Sequence, residues 1–195
     1  PSRATDLLDP ARIDRLSGST FELGSIFKAM TVAMALDSGK ARLDTMLDVR
    51  APLEIGSYTI KDLHPAGRPL SVRDIFIQSS NVGAGMLALQ AGADAQQAFL
   101  ARFGLLESGK TELGATAAPQ LPKTWGKIET VTIAYGHGLA VAPLQFAAAF
   151  ATLVNGGLKV TPRFVRGADD AVAAERLLKS ETSTQINEVL RLNVT

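Results

Sequence analysis

A chain of 195 residues with 46% apolar content is long enough to bury about 70% of its unfolded surface in one compact domain or most of one, and carries no compositional signature of disorder. Its 20 basic and 19 acidic residues are interspersed and sum to +1, which leaves no electrostatic footprint for nucleic acid or an anionic membrane surface. The absence of cysteine excludes disulfides and thiolate metal sites and leaves the redox compartment open.

No run of about 18 apolar residues occurs, and the longest candidate, residues 138–154, is interrupted by Pro143 and Gln145. The sequence begins at Pro1 with neither an initiator Met nor a charged-then-apolar leader. It therefore reads as a piece of a longer protein whose anchor or signal lies outside it.

After a turn-rich start with Asp9-Pro10 and Ser17-Gly18-Ser19, the spacing of Phe27, Met30, Met34 and Leu36 predicts a helix over residues 25–38, closed by Gly39. Ser25 falls at its amino end, where unpaired N–H groups suit a nucleophile whose reaction develops an oxyanion. Residues 44–70, punctuated by Gly and Pro with short β-prone pieces such as Tyr58-Thr59-Ile60, read as a surface excursion. Ser71 and Asp74 resemble a capping box with Asp at the third place, and start a short helix reaching Ile77. The Ser79-Ser80-Asn81 loop interrupts it.

A second helix is predicted over residues 82–90, ended by Gly92, and Asp94 caps a third that runs to Arg102 and ends at Gly104. Residues 105–127 have no sustained period and read as loop. Pro143 opens a helix over 144–154 whose Ala-rich faces permit close packing, and Asn155-Gly156-Gly157 stops it. Residues 158–165 read as a strand, and Ser180 caps a last amphipathic helix carrying Ile186, Val189 and Leu190. There is no internal repeat and no linker long enough to divide two domains.

Two short motifs carry chemistry. In Ser25-Ile26-Phe27-Lys28, serine and lysine at i and i+3 share one helix face, which brings an amine towards a hydroxyl as base to nucleophile. Such a pattern alone is cheap, since about one match per chain of this size arises by chance. Ser79-Ser80-Asn81 is equally cheap, because Ser and Asn favour loops and caps for local reasons. Order and context raise the pair: each occurs once, the first at a helix start, the second in a break between two helices.

Ser-x-x-Lys followed by Ser-x-Asn, with a later Lys-Thr-Gly, is the signature of penicillin-recognising serine acyltransferases. Glu22-Leu23-Gly24-Ser25-Ile26-Phe27-Lys28, Gln78-Ser79-Ser80-Asn81-Val82-Gly83 and Tyr135-Gly136-His137-Gly138-Leu139-Ala140-Val141-Ala142-Pro143-Leu144-Gln145, running on to Asn155-Gly156-Gly157, closely resemble the transpeptidase domain of class B penicillin-binding proteins over about residues 5–165. Ser-Ser-Asn-Val-Gly looks more like the septal, cell-division branch than the elongation branch. The chain departs from the family at Ile26, Ala29 and Ala142, where Thr, Pro and Thr are usual; none of these removes a reacting group. Lys-Thr-Gly itself is absent, and Lys110-Thr111-Glu112 and Lys123-Thr124-Trp125 stand in the wrong region, with a third residue that obstructs backbone approach to a ligand.

The resemblance implies an α+β fold of β-lactamase/transpeptidase type, predominantly helical over these residues with its main antiparallel sheet incomplete. Residues 1–195 then form a partial transpeptidase domain lacking the C-terminal Lys-Thr-Gly strand. The implied activity is D,D-transpeptidation of peptidoglycan stem peptides, with β-lactam antibiotics acylating the same serine and divisome proteins as partners of the parent protein. No cofactor, metal or nucleic acid is implied. The implied place is the periplasmic side of a bacterial inner membrane. By the same resemblance Ser25 is the nucleophile and Lys28 its base; Ser79 relays a proton to the leaving group, Asn81 holds Lys28 and the substrate amide, and the Ser25 N–H supplies half an oxyanion hole. A β-lactam sensor or serine β-lactamase shares the serine and lysine but is not expected to carry the stretch from Tyr135 to Gln145. A non-catalytic scaffold piece of a cell-wall synthase is the remaining alternative.

Gly104-Leu105-Leu106-Glu107-Ser108-Gly109-Lys110-Thr111 matches the phosphate-cradling pattern G-x-x-x-x-G-K-[ST] in full. A cradle needs a strand before it and a helix after it, so that helix N–H groups face the phosphates. The flanking segments read as helix before and loop after. His64 and His137 are far apart and lack cysteine companions, which does not suggest zinc. Trp125 reads as core, and Asp44, Asp48 and Glu54 as solvated loop charges rather than a glycosidase pair.

Overall fold

The computed structural model describes residues 14–165 and 175–193; the expected Asp9-Pro10 turn lies outside them. Strand β1 (Phe21–Glu22) leads into a 3-10 turn (Gly24–Phe27), which passes directly into α1 (Lys28–Asp37). Every residue from Lys28 to Leu36 is buried, and a helix buried on all sides sits at the centre of other elements. Packed against it are α2 (Val72–Ile77), α3 (Asn81–Ala91), α4 (Ala93–Arg102), α5 (Lys127–Ala134), α6 (Pro143–Val154) and α7 (Ser180–Leu192).

Strands occur among the described residues only as four antiparallel pairs. β2 (Met46–Leu47) pairs with β5 (Leu70–Ser71), β3 (Leu53–Ile55) with β4 (Tyr58–Ile60), and β6 (Lys110–Thr111) with β7 (Gly114–Ala115). β1 pairs with β8 (Ala140–Val141), setting Phe21 opposite Val141 and Glu22 opposite Ala140. The arrangement is α+β and predominantly helical. Gly83 lets α3 settle on α2, since a Cβ there would lie 2.5 Å from Ile75 Cγ1, closer than packed atoms tolerate.

Several elements differ from the sequence reading in instructive ways. The helix expected from Ser25 begins as a 3-10 turn, the tighter winding common at helix entrances, so Lys28 rather than Ser25 opens the α-helix proper. α4 is preceded by Gly92 (φ 93°) rather than capped by Asp94, which lies one residue inside it. Lys179, not Ser180, is the cap position of α7. There the Asp37 carboxylate takes over, accepting from Lys179 N–H at 2.9 Å and from Thr182 Oγ1 at 3.2 Å.

Residues 158–165 do not form a strand. Leu158 makes one isolated bridge to Arg176, and Pro162 two turns of pleat later brings no N–H to a ladder. Within the stretch read as loop, β6 and β7 form a small ribbon, and α5 is a helix the sequence reading omitted. No helix among the described residues is long and apolar enough to cross a membrane.

Candidate active site

Three segments converge on Lys28. The first is the 3-10 turn, admitted by Gly24 at φ +58°, a conformation that suits glycine. Gly24 N–H donates to the Gly136 carbonyl at 3.0 Å. A Cβ on Gly136 would lie 1.9 Å from the Gly24 oxygen, so the loop after α5 touches this turn backbone to backbone. Glu22 reinforces the junction: its Oε1 accepts from Gly138 N–H at 2.8 Å, and its Oε2 lies 3.0 Å from His137 Nδ1. The Gly138 N–H first, and His137 second, hold the Glu22 carboxyl below the usual carboxylate range.

Ser25 is exposed at the surface of this turn, while Lys28, one turn on, is only 2% exposed. The amine rises from the core to meet three oxygens. Lys28 Nζ donates to Ser25 Oγ at 3.1 Å, to Ser79 Oγ at 2.8 Å and to the Ser79 carbonyl at 2.6 Å. An ammonium has three N–H donors and no acceptor, so the charged form is fully satisfied by this set. The neutral amine has two donors and a lone pair. Two bonds to Ser79 then leave the lone pair to receive the Ser25 hydroxyl proton.

Burial pushes the Lys28 amine down to about 8, partly opposed by the negative charge of Asp62. A group desolvated in this way spends part of its time neutral near pH 7, as a general base must. Ser79 has φ 55°, alone among the described non-glycine residues in taking a positive value. Such a conformation costs on the order of 1–3 kcal/mol and persists only where surrounding structure over-determines it. Here it turns both the carbonyl and the hydroxyl of one residue towards Lys28.

The four residues singled out in the sequence do not all meet. Ser25, Lys28 and Ser79 form one hydrogen-bonded cluster, whereas Asn81 Nδ2 donates to the Lys61 carbonyl at 3.4 Å; the contact with Lys28 expected of Asn81 is taken by the Ser79 carbonyl instead. Asn81 also opens α3 rather than lying in the preceding loop. The cap of α3 is Ser80, buried, with its Oγ accepting from Gly83 N–H at 2.8 Å.

Sequence reasoning missed Asp62, which sits behind this loop. Its Oδ2 accepts from Ser80 Oγ at 2.7 Å and its Oδ1 from Val82 N–H at 2.9 Å. A lone Asp between a strand and a Gly/Pro-rich stretch carries no local signal of that role. Glu22 and His137 each stand within a motif, but their mutual contact spans 115 positions and no spacing rule joins them.

The Lys110 pattern acquires no such surroundings. α4 and a turn precede it, Lys110 is exposed on the two-residue strand β6, and a hairpin rather than a helix follows. The N–H groups of a helix start therefore do not face its loop. Asp44 and Asp48 pair with Arg42 and Arg50 at the surface, as solvated loop charges do. Trp125 Nε1 donates to Gln96 Oε1 at 2.9 Å at the edge of the core.

Comparison with known proteins places the chain in a family. A family model described as the penicillin binding protein transpeptidase domain matches residues 2–195. The chain is 34% identical over 195 residues to a probable peptidoglycan D,D-transpeptidase FtsI of Caulobacter vibrioides, covering 99% of this chain and 33% of that protein. It is 31% identical over 179 residues to the peptidoglycan D,D-transpeptidase FtsI of Escherichia coli K12, covering 91% and 30%. Among solved structures, the apo transpeptidase domain of Burkholderia pseudomallei penicillin-binding protein 3 superposes with a TM-score of 0.86 at 26% identity, covering 93% of this chain and 56% of that one. The chain thus spans about a third of the length of the curated relatives it matches, and its fold is the β-lactamase/transpeptidase-like α+β fold.

Proposed function

The chain belongs to the transpeptidase domain family of class B penicillin-binding proteins, and we propose that the protein containing it is a serine D,D-transpeptidase that cross-links peptidoglycan stem peptides and is acylated by β-lactams. The observation that carries this reading is the buried Lys28 amine, pushed down to about 8 and bonded at once to the Ser25 and Ser79 hydroxyls. Ser25 Oγ attacks the penultimate D-Ala carbonyl, its proton passing to the Lys28 lone pair as the C–O bond forms. Ser79 then passes a proton to the leaving D-Ala amine as the C–N bond breaks. An amine of a neighbouring stem peptide takes the acyl group and frees Ser25.

The Ser25 N–H serves as one oxyanion donor. Asn81, with Nδ2 held by Lys61, keeps its side-chain carbonyl for the substrate amide rather than for Lys28. The second oxyanion donor and the carboxylate anchor belong to a Lys-Thr-Gly strand, which does not occur in these 195 residues and which this reading places elsewhere in the whole protein. Ser79-Ser80-Asn81-Val82-Gly83 supports a septal, cell-division role alongside divisome proteins, on the periplasmic side of an inner membrane to which a segment outside this chain anchors the protein.

The test is covalent labelling of the full-length protein by a fluorescent penicillin. Labelling at Ser25, mapped by mass spectrometry and lost in Ser25→Ala, is expected. Labelling at another serine, or none, overturns the reading, and an adduct that hydrolyses within seconds converts it to a serine β-lactamase.

A further inference from the structure

The loop that carries Ser79 is gripped from behind by the two residues that follow β4. Asp62 uses both carboxylate oxygens, Oδ2 accepting from Ser80 Oγ at 2.7 Å and Oδ1 from Val82 N–H at 2.9 Å. The Lys61 carbonyl accepts from Asn81 Nδ2 at 3.4 Å. The grip therefore spans all three residues that follow Ser79. Ser80 Oγ in turn caps α3 through Gly83 N–H, so one carboxylate fixes both the loop and the first turn of the helix behind it. A carboxylate at a helix start also meets the partial positive charge of the unpaired N–H groups.

We propose that Asp62 is a positioning residue for the acyl-transfer site, holding Ser79 in its strained conformation so that the Ser79 hydroxyl and carbonyl stay on Lys28. The claim rests on the transpeptidase reading above only in what the positioned groups do; the grip itself is geometry. Ser79 has no cap or ladder of its own to keep φ at 55°. Its N–H reaches back to the Phe76 carbonyl at 3.1 Å, and Ser80 N–H to the Ile75 carbonyl at 2.9 Å. The chain beyond Ser79 is then fixed by Asp62. With both sides of Ser79 anchored, the residue between them is over-determined, as a strained conformation requires.

Asp62 has a second handle on the same site. Its negative charge favours the Lys28 ammonium against burial. Ser25 and Ser79, the other groups facing the amine, are uncharged in the range of interest. Position and charge can therefore be separated by substitution. Asp62→Asn keeps an oxygen acceptor for Val82 N–H and an amide that can donate to Ser80 Oγ, while removing the charge. Asp62→Ala removes both.

The experiment measures acylation of the full-length protein by a fluorescent penicillin between pH 6 and 10, alongside amide exchange at Val82 and thermal unfolding. In Asp62→Asn the plateau rate is expected to stay within about threefold of wild type, with its acid limb moved to lower pH by a few tenths of a unit. In Asp62→Ala the plateau falls about tenfold or more and Val82 amide exchange accelerates at least tenfold. An unshifted limb in Asp62→Asn together with an unchanged plateau in Asp62→Ala overturns the proposal while leaving the transpeptidase reading intact. If wild type itself is not labelled at Ser25, the reading fails, and the grip stands or falls on Val82 exchange alone: protection unchanged in Asp62→Ala overturns it. Should Asp62→Ala not fold, Asp62→Ser, too short to span both bonds, decides by the same plateau rate and Val82 exchange: both unchanged from wild type overturn the proposal.

Discussion

Lys28 and Lys110 both stand inside short signatures that local sequence cannot rank, and the longer and more specific of the two patterns is the one whose flanks do not build the strand and helix its chemistry needs. Lys28 is enclosed by the core, meets three oxygens and has its basicity lowered by burial. Lys110 lies exposed on a two-residue strand. The difference teaches that a lysine becomes a reagent when the fold withdraws water from it and supplies partners from elsewhere in the chain. Ser79 reaches Lys28 across 51 positions, a fact no four-residue pattern contains.

The sharpest way to break this comparison is Lys28→Met, which preserves much of the side-chain volume and deletes the amine. Acylation of the full-length protein by fluorescent penicillin should fall by about a hundredfold to ten-thousandfold, the usual worth of a general base, with circular dichroism unchanged. A variant that still acylates within tenfold of wild type would show that Lys28 is no more a reagent than Lys110.

Next in size is Gly136→Ala. At φ +90° and with its new Cβ 1.9 Å from the Gly24 oxygen, the substitution must displace the backbone on which the Ser25 turn rests. A loss of about 3 kcal/mol is expected, roughly 10 °C in Tm for a domain of this size, with acylation slowed about tenfold or more. Gly39→Ala, a glycine of φ +71° with open space around it, is the control; it should cost only about 1 kcal/mol and leave the rate alone.

The pH dependence sharpens the comparison further. Lys28 titrates near 8 in the folded chain against 10.5 when free, so between those values the unfolded chain holds a proton that the folded chain has lost. Stability attributable to Lys28 therefore rises with pH from about 8 to 10.5 and is flat below. Denaturant titrations of wild type and Lys28→Met should diverge by about 3 kcal/mol across that interval, with wild type gaining. Divergence in the opposite sense would mean that the buried amine is stabilised as the cation. Over the same range the acylation rate of wild type should climb through pH 8 to a plateau.

Smallest of all is the effect expected at Lys110. Millimolar ATP or GTP should leave Tm unchanged, since a ligand stabilises only by binding the folded state, and Lys110→Ala should acylate at the wild-type rate. A nucleotide-dependent rise of several degrees that vanishes in Lys110→Ala would give the second lysine a site after all.

Much of the scaffold was legible because it is written in local terms. Ser71 does cap α2, accepting from Asp74 N–H at 3.1 Å; Pro143 does open α6, and Asn155 closes it. The α5 helix escaped because its cap position is Gly126, which has no side chain to signal with, while Glu129 reaches back to the Gly126 N–H at 2.9 Å. Asp94 and Ser180 are good cap residues standing one or two places inside their helices, since tertiary contacts chose the boundary. In the site, the Ser25–Lys28 pair is a helical-spacing fact and could be read directly. The Ser79 carbonyl, Asp62 and the Glu22–His137 junction could not, because each depends on segments brought together by packing around α1.

The backbone of Ser79 has a further consequence, for heat. A residue held at φ 55° only by its neighbours opens at lower free energy than the helices around it, because release there recovers strain that opening elsewhere does not. Warming should therefore detach the hydroxyl from Lys28 while α1 is still folded. Labelling at Ser25 then fades several degrees before the helical signal does, and the protein goes silent before it melts.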